Sequence, residues 1–407
     1  MSRKFISIFS FYLFLAGCEP FFPDEIDSTF LLDGPIEELS IPQKSTFVAG
    51  DEAFGEVFTK NSGLGPIFNM SSCSSCHTGD GKGHPSTNLT RFGKEEVDGQ
   101  FNYMKDQGGP QLQDRSIPGY PAETLPPNVT GLSVRSAPIV AGIGFLEAVP
   151  DSTLISLSDP NDEDGDGISG RPNYVLPPNF FVPSSQHISK ENKYYIGRFG
   201  RKATTINLLH QTAVAYIEDM GITSHFFMLD LHNPLAGQFS GDDVADPEVS
   251  SATIANVTFY LKTLKPPIPR NQKDPDVKAG KAIFNEIGCN NCHIPQLMTG
   301  ESDVEALNHK SFRPYTDLLL HDMGSELADN YPEGEANGRE WRTTPLWGLG
   351  LIKDTIGGIP YYLHDGRTSD LKEVILLHGG EGDSSRRNFI NLNQEAQFQI
   401  IKFLEAL

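Results

Sequence analysis

Two short segments of this chain, Cys73-Ser74-Ser75-Cys76-His77 and Cys289-Asn290-Asn291-Cys292-His293, share the pattern C-x-x-C-H. Thiols at this spacing lie on one helical turn. Each adds to one vinyl group of a haem, and the adjacent imidazole then becomes the proximal ligand of the iron. Two copies imply two haem c groups, held through Cys73, Cys76, Cys289 and Cys292, with His77 and His293 on the irons. Four thiols in two pairs also suit a structural zinc site, a dithiol redox pair or disulfides. None of those chemistries requires a histidine directly after the second cysteine, and both copies have one.

Arg3 and Lys4 precede an apolar run from Phe5 to Ala16 that ends in Leu15-Ala16-Gly17-Cys18. The run is too short to span a bilayer. It reads as a lipoprotein signal peptide over 1–17, with Cys18 as the lipidated residue that ties the chain to a membrane. This predicts a lipid-anchored, periplasm-facing protein in the cell envelope of a Gram-negative bacterium, on either membrane. All five cysteines are then assigned, and none is left for a disulfide. The formal charge of −21 disfavours nucleic acid and anionic lipid surfaces as partners. It suits a soluble electron-transfer protein or a small oxidant.

Residues 18–43 are rich in Pro, Asp and Glu without a period and read as a tether. The frame Ala49-Gly50-Asp51-Glu52-Ala53-Phe54 recurs as Ala279-Gly280-Lys281-Ala282-Ile283-Phe284 ahead of the second motif, which marks an internal repeat. In the second copy Asp274 and Pro275 open a helix and Gly288 closes it. Further helices are predicted over 205–220, 251–264 and 393–407, the last with Phe398, Ile401 and Leu404 or Leu407 turned inward. Lys265-Pro266-Pro267 marks a boundary. The expected architecture is mainly α: two cytochrome c-like haem domains in tandem with long loop insertions, 44–265 and 266–407.

The repeat continues in Arg135-Ser136-Ala137-Pro138 and Arg342-Thr343-Thr344-Pro345, and a guanidinium beside a buried haem pairs with a propionate. Arg135 and Arg342 are assigned that role. Asp162, Asp164 and Asp166 alternate around a glycine turn as calcium-binding loops do, although Asn173 stands where an EF-hand would place Glu. Calcium is therefore a second expected cofactor. His210 and Met220 fall on one predicted helix within reach of the first iron.

The chain resembles the di-haem oxidoreductases often labelled thiol oxidoreductases, relatives of di-haem cytochrome c peroxidases and MauG-like enzymes. The resemblance rests on both C-x-x-C-H motifs, 144–150, the Asp-rich loop, 197–200, 219–224, Leu320-His321-Asp322-Met323-Gly324, 341–350 and Leu363-His364-Asp365-Gly366-Arg367. It implies one haem that receives electrons and another that meets a substrate such as peroxide. Met323 looks like the distal ligand of the haem on His293, and Met220 or His210 that of the other. Glu147 and Glu381 are the candidates for moving a proton, with His364 or Arg367 stabilising the departing oxygen. The related peroxidases place a distal histidine soon after the first motif, where this chain offers only His84 in a Gly-rich turn. The alternative function is a non-catalytic di-haem electron carrier with both irons capped.

Overall fold

The computed structural model describes residue 29, residues 32–237 and residues 241–407; the signal segment and Cys18 lie outside the described residues. Its α-helices are α1 (Ile41–Gly55), α2 (Cys73–Cys76), α3 (Ile143–Glu147), α4 (Asp151–Leu157), α5 (Leu208–Met220), α6 (Ser251–Thr263), α7 (Pro275–Glu286), α8 (Ile352–Thr355), α9 (Leu371–Leu376), α10 (Asp383–Asn391) and α11 (Gln394–Glu405). At 34% helix and 12% strand the fold is mixed, which corrects the mainly α expectation. The insertions fold into small antiparallel sheets rather than staying loops. The largest places Leu89–Glu95 between Phe101–Asn102 and Gly131–Arg135. Another pairs Leu320–Asp322 with Glu340–Arg342, with His321 opposite Trp341.

Local chemistry explains where the helices begin. Ser40 and Gln43 cap α1 reciprocally, with Pro42 in its first turn, so the helix starts inside the stretch read as a tether. Leu32, Ile36 and Leu39 are buried just before it, and the Ile36 N–H donates to Thr263 O at 2.8 Å. Only the earlier part of 18–43 falls outside the described residues. Asn207, Ser250, Asp274 and Asn393 cap α5, α6, α7 and α11, as predicted for α7 from Asp274 and Pro275. No helix among the described residues is long and apolar enough to cross a membrane.

The repeat seen in the sequence is a repeat of packing. Helix α1 crosses α6, and α7 crosses α11. At the first crossing a Cβ on Gly50 would lie 2.2 Å from Asn256 O, and at the second a Cβ on Gly280 would lie 1.9 Å from Gln399 O. Both repeated glycines exist because two backbones meet there. Phe54 then packs 5.4 Å from Tyr260, and Phe284 packs 5.3 Å from Phe403. The other flanks of these phenylalanines meet the motif histidines, with ring centroids 6.0 Å apart for Phe54 and His77 and 6.4 Å for Phe284 and His293. Gly144 and Gly350 complete the echo, each set against the last turn of α6 or α11 at Lys262 O or Glu405 O.

The hydrophobic core does not divide at Lys265. Leu297, Val304, Leu307, Phe312, Leu318 and Leu319 share a cluster with Phe54, Tyr216 and Tyr260, whereas Val277, Phe284, Phe389, Ile400 and Phe403 form a second one. Phe398 is 51% exposed, so the inward face of α11 is set by Ile400, Phe403 and Leu404 instead.

The close crossings yield a prediction with a definite sign. Gly→Ala in a helix normally stabilises by about 1 kcal/mol, but at Gly280 or Gly50 the methyl group meets backbone. Gly280→Ala and Gly50→Ala should each destabilise by about 1–3 kcal/mol in denaturant unfolding. A gain in stability would contradict the crossing geometry.

Candidate functional site

Both C-x-x-C-H motifs open onto one cavity of about 440 Å³, lined by Cys73, Cys76, His77, Cys289, Cys292 and His293 together. Ser72 caps α2 by accepting from the Ser75 N–H at 3.1 Å, which fixes the turn carrying the first thiols. Gly288, at φ +86°, ends α7 and turns the chain into the second pair. All four cysteines are free, and burial pushes Cys73, Cys76 and Cys289 up to about 12. The two histidines are held alike. His77 Nδ1–H donates to Pro138 O and His293 Nδ1–H to Tyr315 O, both at 2.9 Å, leaving each Nε2 as the ligating atom. Burial pulls both down to about 4, so both are neutral donors.

The cavity also holds positive charge that the protein itself leaves uncompensated. Lys82, Arg135, Arg201 and Arg342 are all buried on its lining. Arg135 pairs with Glu333 at 2.6 Å and lies 4.0 Å from Asp329, so its charge is already met. Arg201 donates only to Ser136 O, Arg342 to Gly200 O and Thr343 O, and Lys82 Nζ has no hydrogen-bond partner. Burial first, then Arg342 and Arg135, pull Arg201 down to about 9. Burial, with Arg201 beside it, pulls Lys82 well below its usual value. Unpaired buried cations cost several kcal/mol each on the order-of-magnitude scale for ion burial. Haem fits this deficit, because each haem brings two propionate carboxylates to the same cavity as its thiols and imidazole. Of the two residues assigned to propionates, Arg342 lies on the lining without an ion pair among the described residues and Arg135 is engaged by Glu333, while Lys82 and Arg201 stand on the same lining. Lys82 carried a signal, a basic residue in Gly81-Lys82-Gly83 just after the first motif of an acidic chain, whereas Arg201 lies far from both motifs and carried none.

Around His293 the cavity is lined by His378 and Met323. His378 Nδ1–H donates to Val374 O at 2.8 Å, the same anchoring that His77 and His293 show, and burial lowers its pKa, keeping it neutral. Its Cδ2 and the Met323 Cε each lie 3.4 Å from the point a Cβ on Gly382 would occupy, so the two side chains converge. His378 was passed over in the sequence because a lone histidine after a short helix carries no spacing signal. Around His77 the helix α5 supplies Thr212 and Tyr216, whose buried hydroxyls have no partner, together with Met220 at its end. His210 is not on the lining; it turns to the Ile206 N–H and stacks edge-on with Phe180.

The remaining predicted residues separate sharply. Glu381 lines the cavity, accepting from Ser169 and from the Asp322 N–H, and it faces His321 Nδ1 at 2.6 Å. His321 Nε2 meets Asp317 at 2.8 Å. Although burial lowers the pKa of His321, Asp317 first, then Cys292 and Glu381, raise it well above normal, so the imidazole is held between two carboxylates as a charged donor. His364 lines the cavity and stacks on Trp341 at 3.7 Å. Glu147 is off the lining: it pairs with Lys262 at 2.9 Å and accepts from the Leu208 N–H at the start of α5, a structural role. Arg367 is bound to Asp365 and Glu326 O away from the cavity, and His84 is exposed against Tyr361.

The Asp-rich loop also differs from expectation. Asp159, Asp162 and Asp164 gather, whereas Asp166 points to Asn291. Backbone N–H groups of the same loop take these carboxylates: Glu163 and Asp164 donate to Asp159, Gly167 to Asp162, Asp166 to Asp164 and Ile168 to Asp166. These hydrogen bonds close the loop, and Asp159 takes the place expected for Asp166 in the group of three.

Comparison with curated proteins gives no match. A solved structure of hydrazine synthase from Kuenenia stuttgartiensis, under xenon pressure, aligns with 99% of this chain and 100% of its own at 14% identity and a TM-score of 0.40. A family model described as "di-haem oxidoreductase, putative peroxidase" matches residues 127–407, well over half of the chain. The chain therefore belongs to the di-haem oxidoreductase family.

Proposed function

We propose that this protein is a peroxidase-type oxidoreductase in which two cytochrome c-like units face one cavity, electrons entering at the haem on His293 and a small oxidant reacting at the haem on His77. The observation that carries this reading is the unequal lining of the cavity. The second unit offers an anchored imidazole, His378, with Met323 beside it, whereas α5 turns two unpartnered hydroxyls, Thr212 and Tyr216, toward the first.

Haem supplies reversible one-electron chemistry at iron, and an iron with a free or displaceable face binds a small oxidant. The chain supplies the rest. His77 and His293 would hold the haem irons, Lys82, Arg201 and Arg342 would neutralise propionates, and His378, anchored through Val374 O, would offer the second haem a further nitrogen donor suited to electron relay. Thr212 and Tyr216 orient a polar oxidant by hydrogen bonding. Reduction of hydrogen peroxide to two waters consumes two electrons and two protons. The electrons come from a soluble electron-transfer protein, whose basic surface suits this acidic chain. The Asp317-His321-Glu381 chain holds a proton in the cavity for replacement. We also propose that lipid on Cys18 keeps the protein at a membrane facing the periplasm, supported by the apolar run that precedes it. Cys18→Ala should release it to the soluble fraction.

Three measurements test the site. One equivalent of hydrogen peroxide should reoxidise both haems of the reduced protein in stopped-flow absorption; two irons that stay six-coordinate and inert in every redox state would leave only a carrier. Tyr216→Phe should slow that oxidation about tenfold, the worth of one hydrogen bond of about 1.4 kcal/mol. His378→Ala should make one haem high-spin while Met323→Leu leaves both spectra unchanged, and the reverse pattern would pass the ligand to Met323. Finally, Lys82→Met should lower one midpoint potential by roughly 60 mV if its charge favours the reduced state tenfold. An unchanged potential would detach Lys82 from the propionates.

A further inference from the structure

Between the end of α5 and the start of α6 the chain gathers carboxylates away from the haem cavity. One oxygen each of Asp230, Asp246 and Glu248 lies within 4.8 Å of the others. Asp242, only 1% exposed, lies beside Glu248 and Asp230, and after burial its charge helps to raise the pKa of both; its Oδ1 accepts from the Val244 N–H at 2.8 Å, but no donor of the chain's described residues reaches its Oδ2. Asp230 Oδ1 and Glu248 Oε1 are likewise buried without a partner. None of these four carboxylates is ion-paired with a lysine or arginine among the described residues. The nearby Lys60 pairs instead with Asp243, which is 81% exposed.

The group is built rather than accidental. Thr223, fully buried three residues after the end of α5, donates through its N–H to Glu248 Oε2 at 2.6 Å and through Oγ1 to Glu248 and Asp246. Gly241 lies so close to Asp230 that a Cβ there would meet its Oδ2 at 2.5 Å. One buried oxygen each of Asp230, Asp242 and Glu248 is thus left without a hydrogen-bond partner, with the exposed Asp246 beside them. Like charges at a few ångströms repel unless something between them carries positive charge.

We infer that Asp230, Asp242, Asp246 and Glu248 form a binding site for one hard divalent cation of the calcium class. All donors are oxygen, with no histidine or thiol among the four, which selects calcium over zinc or copper. Irregular loop backbone supplies them, which suits the variable geometry of calcium better than the strict octahedron of magnesium. The bound ion ties Asp230, Asp242 and Glu248 to Thr223 and so braces the end of α5, whose Thr212, Tyr216 and Met220 line the haem cavity. The site stands independently of the proposed peroxidase chemistry.

The test uses the full chain with its haems, treated with a chelator and titrated with calcium chloride by calorimetry, alongside thermal unfolding. The wild type should bind calcium and gain several degrees in midpoint, with a smaller gain from magnesium. Asp242→Asn/Glu248→Gln should lose both the heat and the gain, and its midpoint in chelator should exceed that of the wild type because repulsion has been removed. Asp162→Asn/Asp164→Asn should bind as the wild type does. A wild type whose midpoint ignores millimolar calcium overturns the inference whether or not the double variant folds, as does a double variant that binds calcium unchanged.

Discussion

Lys82, Arg201 and Arg342 are buried around one cavity, and among the described residues no carboxylate forms an ion pair with any of them. Water cannot reach them freely, and their mutual repulsion adds to the cost of desolvation. A fold that retains such charges needs anions from outside the polypeptide. The propionates of the haems expected for this family would supply such anions, in the cavity that also gathers the motif thiols and imidazoles. Arg135 shows the contrast. It has the protein's own Glu333 for a partner and so contributes position and packing more than free charge.

The rest of the architecture serves to present those groups. Each motif histidine is braced on one side by a carbonyl and on another by a phenylalanine that is itself held at a glycine-enabled helix crossing. Duplication of this unit explains the two irons. Divergence of what surrounds it explains their expected difference: short segments after α9 bring His378 to the second, while α5 brings hydroxyls to the first. The shared core, with Leu297 to Leu319 packed against the N-terminal helices, fixes the two units against each other.

Much of this was legible in the sequence because it is local. Caps, the repeated Ala-Gly frame and C-x-x-C-H each state their own geometry within a few residues. What could not be read was set by long-range packing. Glu147 looked catalytic by its motif, yet Lys262 and the start of α5 claim it. Asp166 looked like part of a calcium triad, yet loop backbone and Asn291 take it. His378 and Arg201 have no informative spacing, and only the folded chain brings them to the cavity. The insertions misled in the same way, since their short strands pair with partners up to 49 residues away, as Ile67 does with Ser116 and Leu89 with Arg135.

The central claim is that this one cavity houses two covalently attached haems. Intact-mass measurement of the protein exported through a cytochrome c maturation system tests it most directly. The account predicts a mass increment of two haems per chain, falling to one in Cys73→Ala/Cys76→Ala and to one in Cys289→Ala/Cys292→Ala. A chain that carries zinc, disulfides or a single haem under those conditions would contradict it.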